Sequence, residues 1–267
     1  MNNTFSFERL FALIRKQWIE NSRFYMLGTL ALLGLMTIAL VLFWVSMDGY
    51  AWDERTAYVI YLAGLFIVGS IYGSISFSVL GSKEKGQYWL SIPASHLEKL
   101  ITTILYNTMF FFVVYTACFF LVKFGAQLYI ENTARTVEGA SFTPIDWNGS
   151  FGTELGYFML LYFTLQTLYI LGSVYFKQYA FIKTTIIVSV LCCILIFVFA
   201  KTAETMFSGY NFNLKGLELR SYQDDNGVYR SYSLGEDLSR VLGYILKYSW
   251  VPLFWVVTWF RLTEKEI

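Results

Sequence analysis

Long apolar runs broken by short polar islands define this chain. Apolar stretches over about 24–46, 57–80, 97–122, 155–176, 184–200 and 241–260 lie near the ~20 residues a helix needs to cross a bilayer. Ahead of the first run, Phe7, Leu10, Phe11, Ile14 and Trp18 recur every three or four residues, with Arg9, Arg15, Lys16 and Arg23 around them. That spacing predicts a basic amphipathic helix over 5–23, suited to a membrane surface. Between the second and third runs lies Ser82–Lys99. Ser82 can cap a helix over Lys83–Ser91, Pro93 breaks it, and Ser95 with Glu98 forms a capping box for the next helix. The pattern predicts a helix, a corner and a helix at a membrane face. In 201–240, Leu217–Gln223 and Val228–Leu234 flank Asn226-Gly227, a hairpin signal. Ser233 and Glu236 form a second capping box. Lys247 snorkels from the last run and Pro252 kinks it. The fold expected is an all-α polytopic membrane protein, one domain of six transmembrane helices. It has an N-terminal amphipathic surface helix and a small extracytoplasmic insertion, 201–240, with a β-hairpin.

Composition agrees. Of 267 residues, 56% are apolar and only 15% charged, against roughly 25% charged in soluble domains. A formal charge of +1 argues against a nucleic-acid surface. Cys118, Cys192 and Cys193 all fall in apolar runs and read as packed thiols. With the N-terminus in the cytoplasm, the short loops obey the positive-inside rule: Arg55 alone in 48–56, against Lys83, Lys85 and Lys99 in 81–99. Both termini, the corner 82–96 and the turn 177–183 are then cytoplasmic. No signal-peptide cleavage site closes the first run. Asn148-Gly149-Ser150 matches a short glycosylation sequon.

Two stripes stand out within the runs. Gly69 and Gly73, spaced for close helix packing, accompany Ser70, Ser74 and Ser78, which form either a packing face or the wall of a transport path. Tyr162, Gln166, Tyr169 and Ser173 line one face of the fourth run and must meet protein or a wet cavity. No catalytic constellation is visible. A single histidine, His96, excludes a Ser–His relay inside the membrane. Gly81–Gly86 has phosphate-loop glycine spacing, but Gln87 and Tyr88 stand where Lys and Ser or Thr are needed. No cofactor is expected on this chain.

The layout and the motif Lys83-Glu84-Lys85-Gly86, Leu90-Ser91-Ile92-Pro93-Ala94-Ser95 and Lys99 resemble the membrane subunit of type-two ABC exporters. The resemblance covers nearly the whole chain as architecture, although 123–154 is longer than minimal members need. It implies a permease subunit in a bacterial cytoplasmic (inner) membrane, with membrane lipid around it. A second permease chain, the same or related, would pair with it, and a separate ATPase subunit would bind ATP and Mg. The resemblance makes Lys83, Glu84, Lys85, Gly86, Gln87, Tyr88 and Trp89 the coupling helix that contacts the ATPase, with Lys177 and Lys183 a smaller contact. Ser70, Ser74, Thr185 and Ser189 would line the path, and bulky charged residues at Gly86 and Trp89 would uncouple hydrolysis from transport. The competing classes are a six-span scaffold that binds a partner through its external loop, and a channel.

Overall fold

The computed structural model describes residues 5–46, 51–134, 141–145, 150–206, 211–213, 218–223, 229–233 and 236–264. Helix α1 covers Phe7–Ser46. A short strand β1, Ala51–Asp53, leads into α2, Glu54–Ile75. A 3-10 turn, Ser78–Gly81, precedes α3, Lys83–Ser91. Then come α4, His96–Ile104, a π-helical turn over Leu105–Phe110, and α5, Phe111–Ala134. Strand β2, Ser141–Thr143, pairs in parallel with β1. Helices α6, Ser150–Tyr175, and α7, Ala180–Met206, follow. Strands β3, Asn211–Asn213, β4, Glu218–Gln223, and β5, Tyr229–Ser233, form an antiparallel sheet in chain order. The chain closes with α8, Glu236–Tyr248, and α9, Trp250–Thr263. The Asn226-Gly227 turn, the sequon at 148–149 and residues 234–235 of the second capping box lie outside the described residues.

Five helical stretches are long and apolar enough to cross a membrane: Phe7–Leu42, Glu54–Ile75, His96–Asn132, Phe151–Tyr175 and Ala180–Val198. The chain is therefore a multi-pass membrane protein. Three expected boundaries differ, each for a local reason. No break separates a surface helix at 5–23 from a first span at 24–46. No proline interrupts Ile19–Gly28, and Asn21 and Ser22 turn their side chains back to the Gln17 and Ile19 carbonyls, so α1 continues for 40 residues, about 60 Å and twice the hydrocarbon core. The third run does not end at Val122. Lys123 is paired with Glu54 and so is tolerated within the helix, which goes on to Ala134. The expected sixth span, 241–260, is two helices that part at Ser249. Pro252 has no N–H to give the Tyr248 carbonyl and its ring crowds that group. Hydrogen bonds continue on either side of it, from Ser249 N to Ile245 O and from Leu253 N to Ser249 O.

The core is where α2, α5 and α6 meet. Ala57, Tyr61, Leu65, Tyr115, Phe119 and Tyr162 are buried there. The α2 glycines decide how close the helices come. A Cβ on Gly69 would lie 2.8 Å from the Tyr162 ring, and one on Gly73 would lie 3.2 Å from Tyr169 Cβ. Small residues on α2 thus receive the aromatic stripe of α6, the packing that replaces hydrophobic drive in lipid. A smaller cluster of Phe77, Leu80, Leu100, Ile170, Val174 and Leu262 closes the end of the bundle that carries the corner. Cys118 is buried, whereas Cys192 and Cys193 are exposed on α7. These two are not packed within the chain, because α7 keeps most of its apolar surface uncovered.

Candidate functional site

The segment 82–99 folds as its residues direct. Helix α3 covers Lys83–Ser91, and Ser95 caps α4 in a full capping box with Glu98. Ser82 holds the N-cap position of α3 but makes no side-chain capping bond. At the corner, Lys99 reaches back and donates to the Trp89 and Leu90 carbonyls at 3.0 and 3.2 Å. Its ammonium also lies 4.7 Å from the Trp89 ring centre. One lysine therefore satisfies the end of α3 and ties it to α4. Trp89 packs edge-on against Phe77 at 5.8 Å.

The N-terminal half of α1 clamps this corner. Glu98 is fully buried. It accepts from Ser6 N at 2.8 Å, Ser95 N at 2.8 Å and the Arg9 guanidinium at 3.1 Å. Lys16 donates to the Tyr88 hydroxyl, and Tyr106 OH donates to the Ile14 carbonyl at 2.9 Å. Tyr25 stacks on Tyr106, with Trp18 and Phe110 packed beside them. The basic residues and the capping acid were legible in the sequence. Their pairing across some ninety residues was not, since neither element's periodicity names its partner.

Sequence expectation and geometry part within α3. Lys83, Glu84, Lys85, Gln87 and Tyr88 are exposed, whereas Gly86 is buried and Trp89 half-buried against the bundle. Gly86 and Trp89 therefore anchor the helix and do not offer a docking face. Lys177 and Lys183 are exposed at the same end. The turn between them meets the start of the corner: a Cβ on Gly81 would lie 2.6 Å from the Lys177 carbonyl oxygen. Tyr179, at φ 55°, makes this bend in the left-handed region. Arg261 lies 4.7 Å over the Tyr175 ring, which brings the end of α9 to the same face.

Of the four residues expected to line a path, Ser70 borders an open hollow with Phe66, Tyr169 and Phe181. Ser70 and Ser74 are buried on α2, and the Ser74 hydroxyl is spent on the Ile71 carbonyl. Thr185 bonds Tyr169 OH at 3.0 Å, while Ser189 is exposed on α7. The α6 stripe serves interhelical bonding. Gln166 donates to the Asn107 carbonyl in the π-helical turn at 2.8 Å, and Phe77 N donates to the Ser173 hydroxyl at 3.3 Å. Asn107 in turn donates to Ser76 at 2.7 Å. Tyr162, Gln166, Tyr169 and Ser173 are all buried.

Sequence reading missed the polar cluster at the other end. Glu54 and Lys123, both buried, form an ion pair. Glu54 also accepts from Ile145 N at 2.9 Å, and the Lys123 ammonium lies 4.7 Å from the Tyr58 ring centre. This joins α2, α5 and the 141–145 segment. The available signal was an acid opening one apolar run and a lone base closing the next, which antiparallel packing brings level. Among the described residues no group of three His, Cys, Asp or Glu could hold a metal ion. The chain matches no family model, no curated protein and no solved structure.

Proposed function

We propose that the chain is the membrane-spanning subunit of a two-component exporter, driven by a separate ATPase that presses on residues 82–99. One observation carries the reading. The corner leaves Lys83, Glu84, Lys85 and Gln87 exposed, while it is fastened to α1 through Glu98 and Tyr88 and to the chain after α2 through Trp89 and Phe77. A push on α3 would therefore move two membrane helices together, as coupling requires. In this reading six crossings are made, the last by α8 and α9 in series. The basic N-terminal half of α1 lies at the cytoplasmic surface, and the 201–240 insertion is outside. The membrane is the inner one of a bacterium, and ATP and Mg are held by the partner. The uncovered face of α7, with Ile186, Ile187, Val190 and Ile194 exposed, receives the second permease chain. That chain-to-chain seam carries the path.

The test is a mild-detergent pull-down of the tagged chain followed by an ATPase assay. Reversing charge at Lys83 and Lys85 should release a co-purifying ATPase while the chain stays folded. Substitutions at Gly86 or Trp89 should instead lower stability. If no nucleotide hydrolysis accompanies the chain, or K83E/K85E leaves it attached, the reading fails and the scaffold class replaces it.

A further inference from the structure

A cleft of about 480 Å³ opens between the N-terminal half of α1 and the corner. Its wall includes Lys16, Lys85 and Lys99 against one acid, Glu20, with the amides of Gln17 and Asn107 between them. Glu20 stands 3.8 Å from Lys16 and offsets that charge. Lys99 is held by its two carbonyls, and Lys85 is exposed with no ion pair among the described residues. The mouth is therefore polar and carries excess positive charge.

The cleft does not end there. Phe24, Tyr25 and Tyr72 line both it and a second cavity of about 250 Å³, whose other walls include Gly28, Leu32, Val68 and Phe111. Leu32, Leu35 and Val68 are shared again with a third hollow of about 70 Å³ beside Gly64 and Tyr115. The result is a succession of adjoining hollows along α1, basic at the end of the bundle and apolar within it. From Phe24 to Leu35 it runs about 17 Å at 1.5 Å per residue, close to half of a ~30 Å hydrocarbon core.

We infer that these hollows hold an anionic phospholipid, its phosphate against Lys85 at the basic mouth and one acyl chain between α1 and the α2–α5 pair. The order of chemistries selects that occupant. A soluble anion leaves the apolar section empty, and a neutral lipid leaves the lysine charge unanswered. The site shares only Lys85 with the surface offered to an ATPase, and its apolar section stands whether or not the chain transports.

Gly28 makes the idea testable. It lines the apolar section, and a Cβ there meets nothing within 4 Å. The Cβ of G28L is therefore accommodated and the rest of its side chain occupies the apolar section, and as a helix substitution it does not disfavour folding. Gly34 is equally open but lines none of the three cavities, so G34L is the matched control. The purified full chain in detergent would be titrated with fluorescent dioleoyl phosphatidylglycerol and competed with dioleoyl phosphatidylcholine or glycerol phosphate, with thermal melting run in parallel. Phosphatidylglycerol should be held in preference to phosphatidylcholine, and glycerol phosphate should not displace it. K85Q should reduce that preference roughly fivefold, the worth of one basic residue at an anionic lipid surface. G28L should abolish binding without lowering the melting temperature, and G34L should bind as the parent does. Equal retention of both lipids, displacement by glycerol phosphate, or full binding by G28L would overturn the assignment.

Discussion

Glu98 is the residue whose removal most directly tests the architecture of the corner. Its carboxylate is fully buried and accepts from two backbone amides, Ser6 N and Ser95 N, and from Arg9. Arg9 keeps a third of its side chain exposed, so it can return to water and contributes little. The two amides are different: each loses a charge-assisted bond worth about 1.5 kcal/mol at the low end. Glu98→Ala should therefore cost about 3 kcal/mol, about half of it in the α4 cap at Ser95 and half in the clasp from α1 at Ser6. Hydrogen–deuterium exchange of the lipid-embedded protein, read by mass spectrometry, measures this directly. At a factor of ten per 1.4 kcal/mol, amides of 6–18 and of 95–104 should each exchange roughly tenfold faster. Amides in the α2–α6 core should not change, because Gly69, Gly73 and the α6 stripe do not touch Glu98. Glu98→Gln keeps one acceptor and turns a donor towards the other amide, so it should fall between parent and Ala. Arg9→Ala should cost about 1 kcal/mol or less. The reasoning is refuted if Arg9→Ala matches Glu98→Ala, or if the loss spreads evenly over all helices.

Three further outcomes follow from the same geometry. Gly69→Leu should lower the melting temperature in detergent, since even a Cβ presses on the Tyr162 ring at 2.8 Å and overpacking costs about 1–3 kcal/mol. Lys123→Ala should destabilise by about 3–5 kcal/mol, because it leaves Glu54 buried without its cation, whereas the double replacement of Glu54 and Lys123 by Met should recover most of that loss. Circular-dichroism melts of the three variants check the order. Pro252→Ala should restore the hydrogen bond to the Tyr248 carbonyl and merge α8 with α9, seen as a protected amide at 252; rapid exchange there would show that the break has another cause.

The helical corner was legible because it is local. A proline and a capping box within a few residues dictate α3, the bend and the start of α4. The apolar runs were legible by length alone. Their ends were not where a pair formed at a distance: Lys123 stays helical only because Glu54 meets it, and α1 continues because no residue stops it. Which face of α3 points outward depended on Phe77 and Lys99, which hold Trp89 inward. Ser74, one of the four hydroxyl residues expected along a path, shows a related point. A hydroxyl in a helix can satisfy itself on a carbonyl of the preceding turn, as Ser74 does with Ile71, so its presence in an apolar run does not require water.

The π-helical turn at Leu105–Phe110 has a consequence for the phase of the whole helix. Such a turn accommodates one residue more than an α-helical turn, and one residue is about 100° of rotation. Everything before it is therefore rotated by about that angle relative to everything after it. That rotation lets Glu98 look towards α1 while Tyr115 and Phe119, on the far side of the turn, look towards α2. It also leaves the Asn107 carbonyl open to Gln166 of α6. Deleting a single residue between 105 and 110 would keep an apolar helix of almost the same length, yet point one of its two halves at the wrong neighbour.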